Sequence, residues 1–432
     1  MKLNCVLKKN RIWIPKKFQH YLQNNFCKIV IRQNKKQRSF ISKLGKDKRL
    51  VIPKEYLAAL KDRSIQVQFT AIKNYKRPKI FVKNNRIDFL SFIPQRTLSG
   101  FEVLAFPLRN KIFAWYFASK GRPKSILISR FVDGGNFFRF IGYYRSEGGK
   151  PRLSYRRGRE FSFTNKNLDV LSDFITLFKQ ITSIKILKAT ISYNPFNKVD
   201  LNEIKSRLIT LGLNEKSITK RVAKVKEFTV RIYVTNSLLS ETINNAENIL
   251  RKYIIKSPTL QFITQYLRGI ILGDGSFYRW RDKKGSLHSR LQIFESDESA
   301  ILDISKLLAY LGVHGNFKKS NKKMFTYTAF LNWQDLLKLY YFRLLGERTK
   351  YLRSVIKKHK RFRSLKYLAI LPQKFLTSDF MRLTKKNYSY SATWLRDRQR
   401  EGLIRKIKHE EKQNVWRLTD EGKFISNLLK TV

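Results

Sequence analysis

The sequence predicts a mixed α/β, or α+β, protein built around an internally duplicated central domain, and three observations carry that prediction. A short unit repeats near the start at an offset of 38 residues. A longer unit repeats in the middle at an offset of 127, with helix-like and strand-like segments following one another in each copy. The last sixty residues then change to two helices, a basic two-stranded element and a closing helix. These observations divide the 432 residues into segments 1–72, 73–125, 126–350 and 351–432.

Lys and Arg number 90 against 31 Asp and Glu, a formal net charge of +59. A compact chain with that charge repels itself unless a polyanion neutralises it; nucleic acid is the expected partner and an anionic membrane the competing one. Hydrophobic residues make up 42% and aromatic residues 13%, enough for packed cores, which excludes wholesale disorder. No run of 18 apolar residues occurs, and Met1 to Lys17 holds no apolar stretch of the kind that begins a secreted chain. A soluble, intracellular (cytoplasmic) protein with no membrane partner is therefore expected. Cys5 and Cys27 are the two cysteines, and His20, His288, His314, His359 and His409 are scattered, which excludes a disulfide framework and a zinc site. A metal in this chain is expected on oxygen ligands.

In segment 1–72, Arg11-Ile-Trp-Ile-Pro-Lys16 recurs as Arg49-Leu-Val-Ile-Pro-Lys54, each followed by a short amphipathic stretch ending at Leu22 and Leu60. Strand-like alternation follows each copy, with Ile29 and Ile31 in the first and Val67 and Phe69 in the second. The implied unit is strand, proline turn, short helix, strand. It resembles the swapped-hairpin AbrB-like DNA-binding domain, in which two copies intertwine; a basic pair of hairpins used for packing is the alternative. Residues 73–125 read as short β runs broken by basic turns, with no assigned role.

In segment 126–350, Phe140-Ile-Gly-Tyr-Tyr-Arg-Ser-Glu-Gly148 superimposes without gaps on Leu267-Arg-Gly-Ile-Ile-Leu-Gly-Asp-Gly275, placing Glu147 over Asp274. Further on, Phe161, Phe163, Leu171, Phe174 and Leu177 fall over Leu291, Ile293, Ile301, Ile304 and Leu307 at an offset of 130. The second copy reads as a helix over Phe262 to Gly273, strands over Ser276 to Trp280 and His288 to Phe294, and a helix over Glu298 to Tyr310. Near the C-terminus, Phe375 to Leu383 and Ser389 to Glu401 read as helices. Leu403 to Arg417 reads as a basic two-stranded element, and Thr419 caps a helix to Leu429. That order is a winged helix-turn-helix.

The two matched segments resemble the signature of LAGLIDADG homing endonucleases, in the form that carries two motifs on one chain. The second copy departs from the signature at Arg268, Leu272 and Gly273 and mildly at Ile270, and the first keeps mainly Gly142, Glu147 and Gly148. The resemblance implies a pseudo-twofold αββαββα saddle whose sheets lie along the DNA major groove, in a monomer with internal pseudo-dimer symmetry. It also implies that one acid from each motif, here Glu147 and Asp274, serves cleavage of both strands.

Physical reasons for these residue types run alongside the resemblance. Gly142 and Gly269 lack side chains and let two helices meet at backbone contact. Gly148 and Gly275 suit a left-handed residue ending a helix, which leaves Glu147 and Asp274 in the last turn. Two carboxylates there face the negative end of a helix dipole and each other, a combination that asks for a divalent cation. Mg²⁺ fits, because it accepts one or two carboxylates together with waters and phosphate oxygens.

Basic residues mixed with aromatic ones follow each motif: Arg152, Arg156, Arg157 and Arg159 after the first, and Arg279, Arg281, Lys283, Lys284 and Arg290 after the second. They suit a DNA groove, arginine reading guanine edges and lysine neutralising phosphate. In the C-terminal module Tyr390, Ser391, Thr393, Arg396 and Arg400 are the expected exposed residues of a recognition helix, over a core of Trp394 and Leu395. Arg405 to Lys412 is the expected wing. Arg231, on an expected strand Phe228 to Val234, is too weak a candidate to join the site. Three functions stay open: a metal-dependent double-stranded DNA endonuclease, a non-cleaving DNA-binding transcriptional regulator on the same scaffold, and an RNA maturase.

Overall fold

A computed structural model describes the strand residues 2–8, 11–13, 27–33, 36–42, 49–51 and 64–71 of the first part of the chain. From residue 82 on, it describes all but 109, 117–123, 150–159, 183–186, 284–286, 322–323, 347, 359, 411–412 and 432. The chain divides into two compact units, Met1–Lys76 and Arg77–Val432.

In the first unit, β1 (Lys2–Lys8), β2 (Arg11–Trp13), β3 (Cys27–Gln33), β4 (Lys36–Ser42), β5 (Arg49–Val51) and β6 (Ser64–Ala71) form one sheet in the order β4-β3-β6-β1-β2-β5. The repeat is expressed as pairing between its own copies. Ile12 stands opposite Leu50 where β2 meets β5, and Ile29 and Ile31 stand opposite Phe69 and Val67 where β3 meets β6. Both pairings are antiparallel and centred on equivalent residues, Ile12 opposite Leu50 and Val30 opposite Gln68, as a local twofold between the copies requires. Ile12, Ile29, Val30, Ile31 and Val67 are buried. The amphipathic stretches ending at Leu22 and Leu60 lie outside the described residues.

The second unit begins with strands that the sequence left without a role. β7 (Val82–Lys83), β8 (Arg86–Asp88) and β12 (Phe131–Asp133) form one small sheet; β9 (Val103–Leu108), β10 (Lys111–Tyr116) and β11 (Lys124–Ser129) form another. Both belong to the main core. Ile87, Phe89, Phe92, Ile112 and Ile128 are buried in it, and the Phe89 ring lies 5.0 Å from that of Phe137.

The duplicated part then follows. Its first half comprises α1 (Gly134–Glu147), β13 (Phe161–Asn165), α2 (Leu168–Ile181), β14 (Lys188–Tyr193), α3 (Leu201–Thr210), β15 (Ile218–Val222), β16 (Thr229–Val234) and α4 (Ser237–Lys256). Its second half comprises α5 (Leu260–Gly273), β17 (Ser276–Arg281), β18 (Leu287–Glu295), α6 (Glu298–Tyr310), β19 (Asn316–Asn321), β20 (Met324–Phe330) and α7 (Trp333–Tyr341). The sheets run β13-β16-β14-β15 and β17-β18-β20-β19, so the protein is of the mixed α and β class the sequence implied.

Equivalent helices start by the same device. Asn167 and Asp297, 130 residues apart, place a side-chain oxygen on the first amides of α2 and α6. Each helix then buries one stripe, Leu171, Phe174 and Leu177 in α2 and Ile301, Ile304 and Leu307 in α6. The halves differ in one respect that the repeat did not show: the first inserts α3 and β15 between its last two common strands. β15 pairs with β14 in parallel, and a parallel neighbour demands a crossover, which α3 supplies.

The chain ends with α8 (Arg348–Lys358), α9 (Lys360–Leu365), β21 (Lys374–Leu376), α10 (Thr377–Thr384), α11 (Tyr388–Arg400), β22 (Ile404–Glu410), β23 (Gln413–Leu418) and α12 (Asp420–Thr431). Two expectations are corrected here. The helix read from Phe375 begins at Thr377, because Phe375 instead pairs with Trp416 on β23 and is buried in the core. Ser391 is fully buried, not exposed, its hydroxyl donating to Asn387 O at 2.8 Å within α11. Thr419 does cap the last helix, accepting from Gly422 N at 3.0 Å. No helix among the described residues is long and apolar enough to cross a membrane.

Candidate active site

Helices α1 and α5 cross at Gly142 and Gly269. A Cβ placed on Gly142 would collide with Tyr266 O and sit 3.1 Å from Gly269 Cα; one on Gly269 would collide with Arg139 O and sit 2.8 Å from Tyr143 N. Any side chain at either position must push the helices apart, which is why both copies carry glycine there. Tyr143 and Tyr266 are buried beside the crossing, and Phe138 stacks on Phe262 at 4.6 Å.

The crossing brings the two helix ends together. Glu147 is the last residue of α1, and Asp274 follows α5 directly, its amide donating to Ile270 O at 3.1 Å. A Cβ on Gly273 would collide with Ser146 and lie 3.7 Å from Glu147 Cγ, so the final turns touch. Both acids are half-buried and line one cleft of about 1030 Å³, together with Arg268, Asp173, Lys166 and Tyr278.

The reason for the following glycines differs from the expected one. Gly148 is extended, with φ −77° and ψ 139°, and neither it nor Gly275 has a positive φ. Instead the chain folds back across its own last helical turn. A Cβ on Gly148 would meet Tyr144 O, and one on Gly275 would lie 2.6 Å from Ile271 Cα.

Burial pushes the Asp274 carboxyl up to about 6, and the neighbouring carboxylate that adds to this is Glu295. The sequence had assigned that repulsion to Glu147. Glu295 is itself 8% exposed and is held by Arg145 of α1, whose Nε donates to it at 2.6 Å. Arg145 also reaches Asp297 at 3.2 Å and Glu247 at 3.7 Å. Burial opposes its charge, but the Glu247 and Glu295 carboxylates outweigh that and hold it protonated. Glu247 in turn accepts from Tyr266 Oη at 2.9 Å and Arg251 Nε at 3.2 Å, and Arg251 pairs with Asp303.

Across the pseudo-twofold, Asn165 stands where the second half has Glu295, and its Nδ2 donates to Gly273 O at 3.1 Å. Each acid-bearing helix end is thus tied to a strand of the other half. Sequence reasoning missed Asn165, Arg145, Glu247 and Glu295. The offset of 130 that superimposes the cores also places Asn165 over Glu295 and Asp173 over Asp303, and that was the available signal.

Among the described residues, no group of three or more His, Cys, Asp or Glu is arranged to hold a metal ion. Two carboxylates at an open cleft still match Mg²⁺, which completes its shell with waters and phosphate oxygens. The raised Asp274 has a measurable consequence. Between about pH 4 and pH 6 the unfolded chain releases this proton before the folded one does, so the group's contribution to stability falls as pH rises and stays lost above pH 6. Asp274→Asn is therefore expected to raise the melting temperature by about 2–4 °C at pH 7.5 and to leave it nearly unchanged at pH 4, by calorimetry without added metal.

The predicted basic contacts divide into three groups. Arg152, Arg156, Arg157, Arg159 and Lys284 lie outside the described residues. Arg281, Lys283, Arg396, Arg400 and Arg405 are exposed, and Arg290 lies on the solvent face of β18 against Tyr278 and Trp280. Arg279 stands apart: strand alternation turns it to the opposite face from Tyr278 and Trp280, where Nη1 donates to Tyr351 Oη of α8 at 2.8 Å. Arg231 pairs with Glu160 at 3.0 Å and lies over Tyr233.

No family model matches the chain, and no curated protein sequence matches it. Similar solved structures include mesophilic variants of the homing endonuclease I-DmoI. They share 15% identity over 50% of this chain and 92% of theirs, with a TM-score of 0.31. The N-terminal LAGLIDADG domain of DUF199/WhiA shares 12% over 50% of this chain and 86% of its own, with a TM-score of 0.30. The meganuclease I-SmaMI, bound to uncleaveable DNA, shares 14% over 51% of this chain and 89% of its own, with a TM-score of 0.29.

Proposed function

We propose that the chain is a DNA-binding protein of the LAGLIDADG type that hydrolyses both strands of a specific duplex with a divalent cation. The observation that carries this reading is the meeting of Glu147 and Asp274 at one cleft, at the end of a crossing tight enough to require Gly142 and Gly269. Glu147 and Asp274 would hold the cation, which supplies neutralising charge to the scissile phosphate and acidity to a bound water. The chain's own groups do the positioning. Asn165 fixes the carbonyl that precedes Asp274, and Arg145, held by Glu295, fixes the last turn before Glu147.

The flanking parts extend the recognised site in this reading. In the first unit, equivalent strands of the two repeat copies pair, which supports an AbrB-like domain. In the last segment, α11 presents Thr393, Arg396 and Arg400 to solvent, and β22 presents Arg405, which supports a winged helix with the helix in the major groove.

A non-cleaving DNA-binding regulator on the same scaffold is the second reading, and the seam closed by Arg145 and Arg251 against Glu247 and Glu295 would serve it equally. Selection of bound sequences from a random duplex pool, followed by incubation of the winner with Mg²⁺ or with a chelator, separates the two. Double-strand breaks with Mg²⁺ alone support the endonuclease. Tight binding with no cut under Mg²⁺ or Mn²⁺ leaves the regulator.

A further inference from the structure

The solvent face of the second-half sheet carries aromatic rings where such faces ordinarily carry polar groups. Tyr278 and Trp280 of β17 stand opposite Arg290 and His288 of β18, and Arg290 stands opposite Phe330 of β20. Phe330 is 67% exposed, Tyr278 46% and Trp280 38%. The rings form one surface: Trp280 stacks on His288 at 5.3 Å and meets Phe330 edge-on at 6.4 Å, while Arg290 bridges Tyr278 and Trp280 at 5.2 and 5.7 Å. The other face of the same strands is buried by Leu291, Ile293 and Ala329, so the exposed rings are not needed for the core.

On the described part of the first-half sheet the solvent-side face carries Thr164, Thr190, Thr229 and Arg231 together with Tyr233, over whose ring the Arg231 guanidinium lies; the stretch equivalent to β17 lies outside the described residues. A duplex offers phosphates and base edges, which hydroxyls and guanidinium groups suit, but its base faces are hidden in the stack. Flat rings with cations between them suit bases that are out of the stack. In a chain of net charge +59, the occupant with both base faces and negative charge is a single strand of nucleic acid.

We infer that the Tyr278–Trp280–Phe330 surface is a stacking platform for unpaired bases of a single strand. Tyr278 also lines the cleft that holds Glu147 and Asp274, so a strand leaving that cleft meets the platform at once. The inference rests on the sheet face and not on cleavage, and it holds equally for a nuclease and for a non-cleaving binder.

The test uses the full chain with labelled oligo(dT) and oligo(U) of about 15 nucleotides and a duplex of equal length, at matched salt. Trp280→Ala combined with Phe330→Ala is expected to weaken single-strand binding by about tenfold or more and duplex binding by less than about twofold. Trp280→Phe, which keeps a ring, is expected to retain most of the affinity and serves as the control for folding. Loss confined to oligo(U) makes RNA the strand, loss confined to oligo(dT) makes it DNA, and loss on both supports base stacking regardless of sugar. Unchanged single-strand affinity in the double variant, or equal losses on duplex and single strand, overturns the platform.

Discussion

Glu147→Gln and Asp274→Asn are each expected to lower Mg²⁺-dependent cleavage of the selected duplex by about 10³-fold or more, while its affinity stays within about threefold. Neither change removes volume or an apolar contact, and each removes one of the two carboxylates at the ends of the crossing helices, in a cleft that Asp169 and Asp173 also line. Binding should survive because the cations proposed to meet phosphate, Arg281 on β17, Arg396 and Arg400 on α11 and Arg405 on β22, do not line the cleft. The two single losses should also be non-additive, since a site missing either ligand is already unable to hold the cation. Nicking of one strand at the wild-type rate by either variant would assign the acids to separate strands instead. Wild-type cutting by both would remove them from the chemistry.

The largest effect on stability is expected from Arg145→Met. The change leaves Glu247 and Glu295, 1% and 8% exposed, without the guanidinium that lies against both. Removing one partner of a buried ionic group costs about 3–5 kcal/mol. Urea unfolding should show the loss, and hydrogen exchange should place it in α1 and α5. Adding Glu247→Gln and Glu295→Gln to Arg145→Met should recover much of it, because the penalty comes from the stranded charges and not from the missing arginine. If the triple variant is no more stable than the single one, packing around Arg145 and not charge is what closes the seam.

The parts of the site that were legible in the sequence are those that depend on residue type alone. Gly142 and Gly269 announce a close crossing because no other residue permits backbone contact, and Glu147 and Asp274 are marked by repeating at the same place beside them. The helix Glu298–Tyr310 is read to the residue, since Asp297 and a regular apolar stripe are local signals. The glycines after the acids were recognised for the wrong reason: a glycine signals missing bulk, and whether the need is a positive φ or a backbone fold-back depends on where the chain goes next. Phe375 was read as helical because its neighbours are, whereas its pairing with Trp416 on β23 made it a strand residue.

By itself, then, the amino-acid order determined the duplication, the positions of the crossing and the two acids, and the strongly cationic character of the surface, because periodicity, side-chain size and charge are properties a residue carries with it. The tertiary structure alone decided what surrounds those acids. Arg145 meets Glu295 across 150 residues of chain and Asn165 meets the carbonyl of Gly273 across 108, and a hydrogen bond of such range has no local signature. It also decided the faces of β17, sending Arg279 to Tyr351 and Trp280 to solvent, since alternation assigns neighbours to opposite sides but only packing against α8 says which side is water.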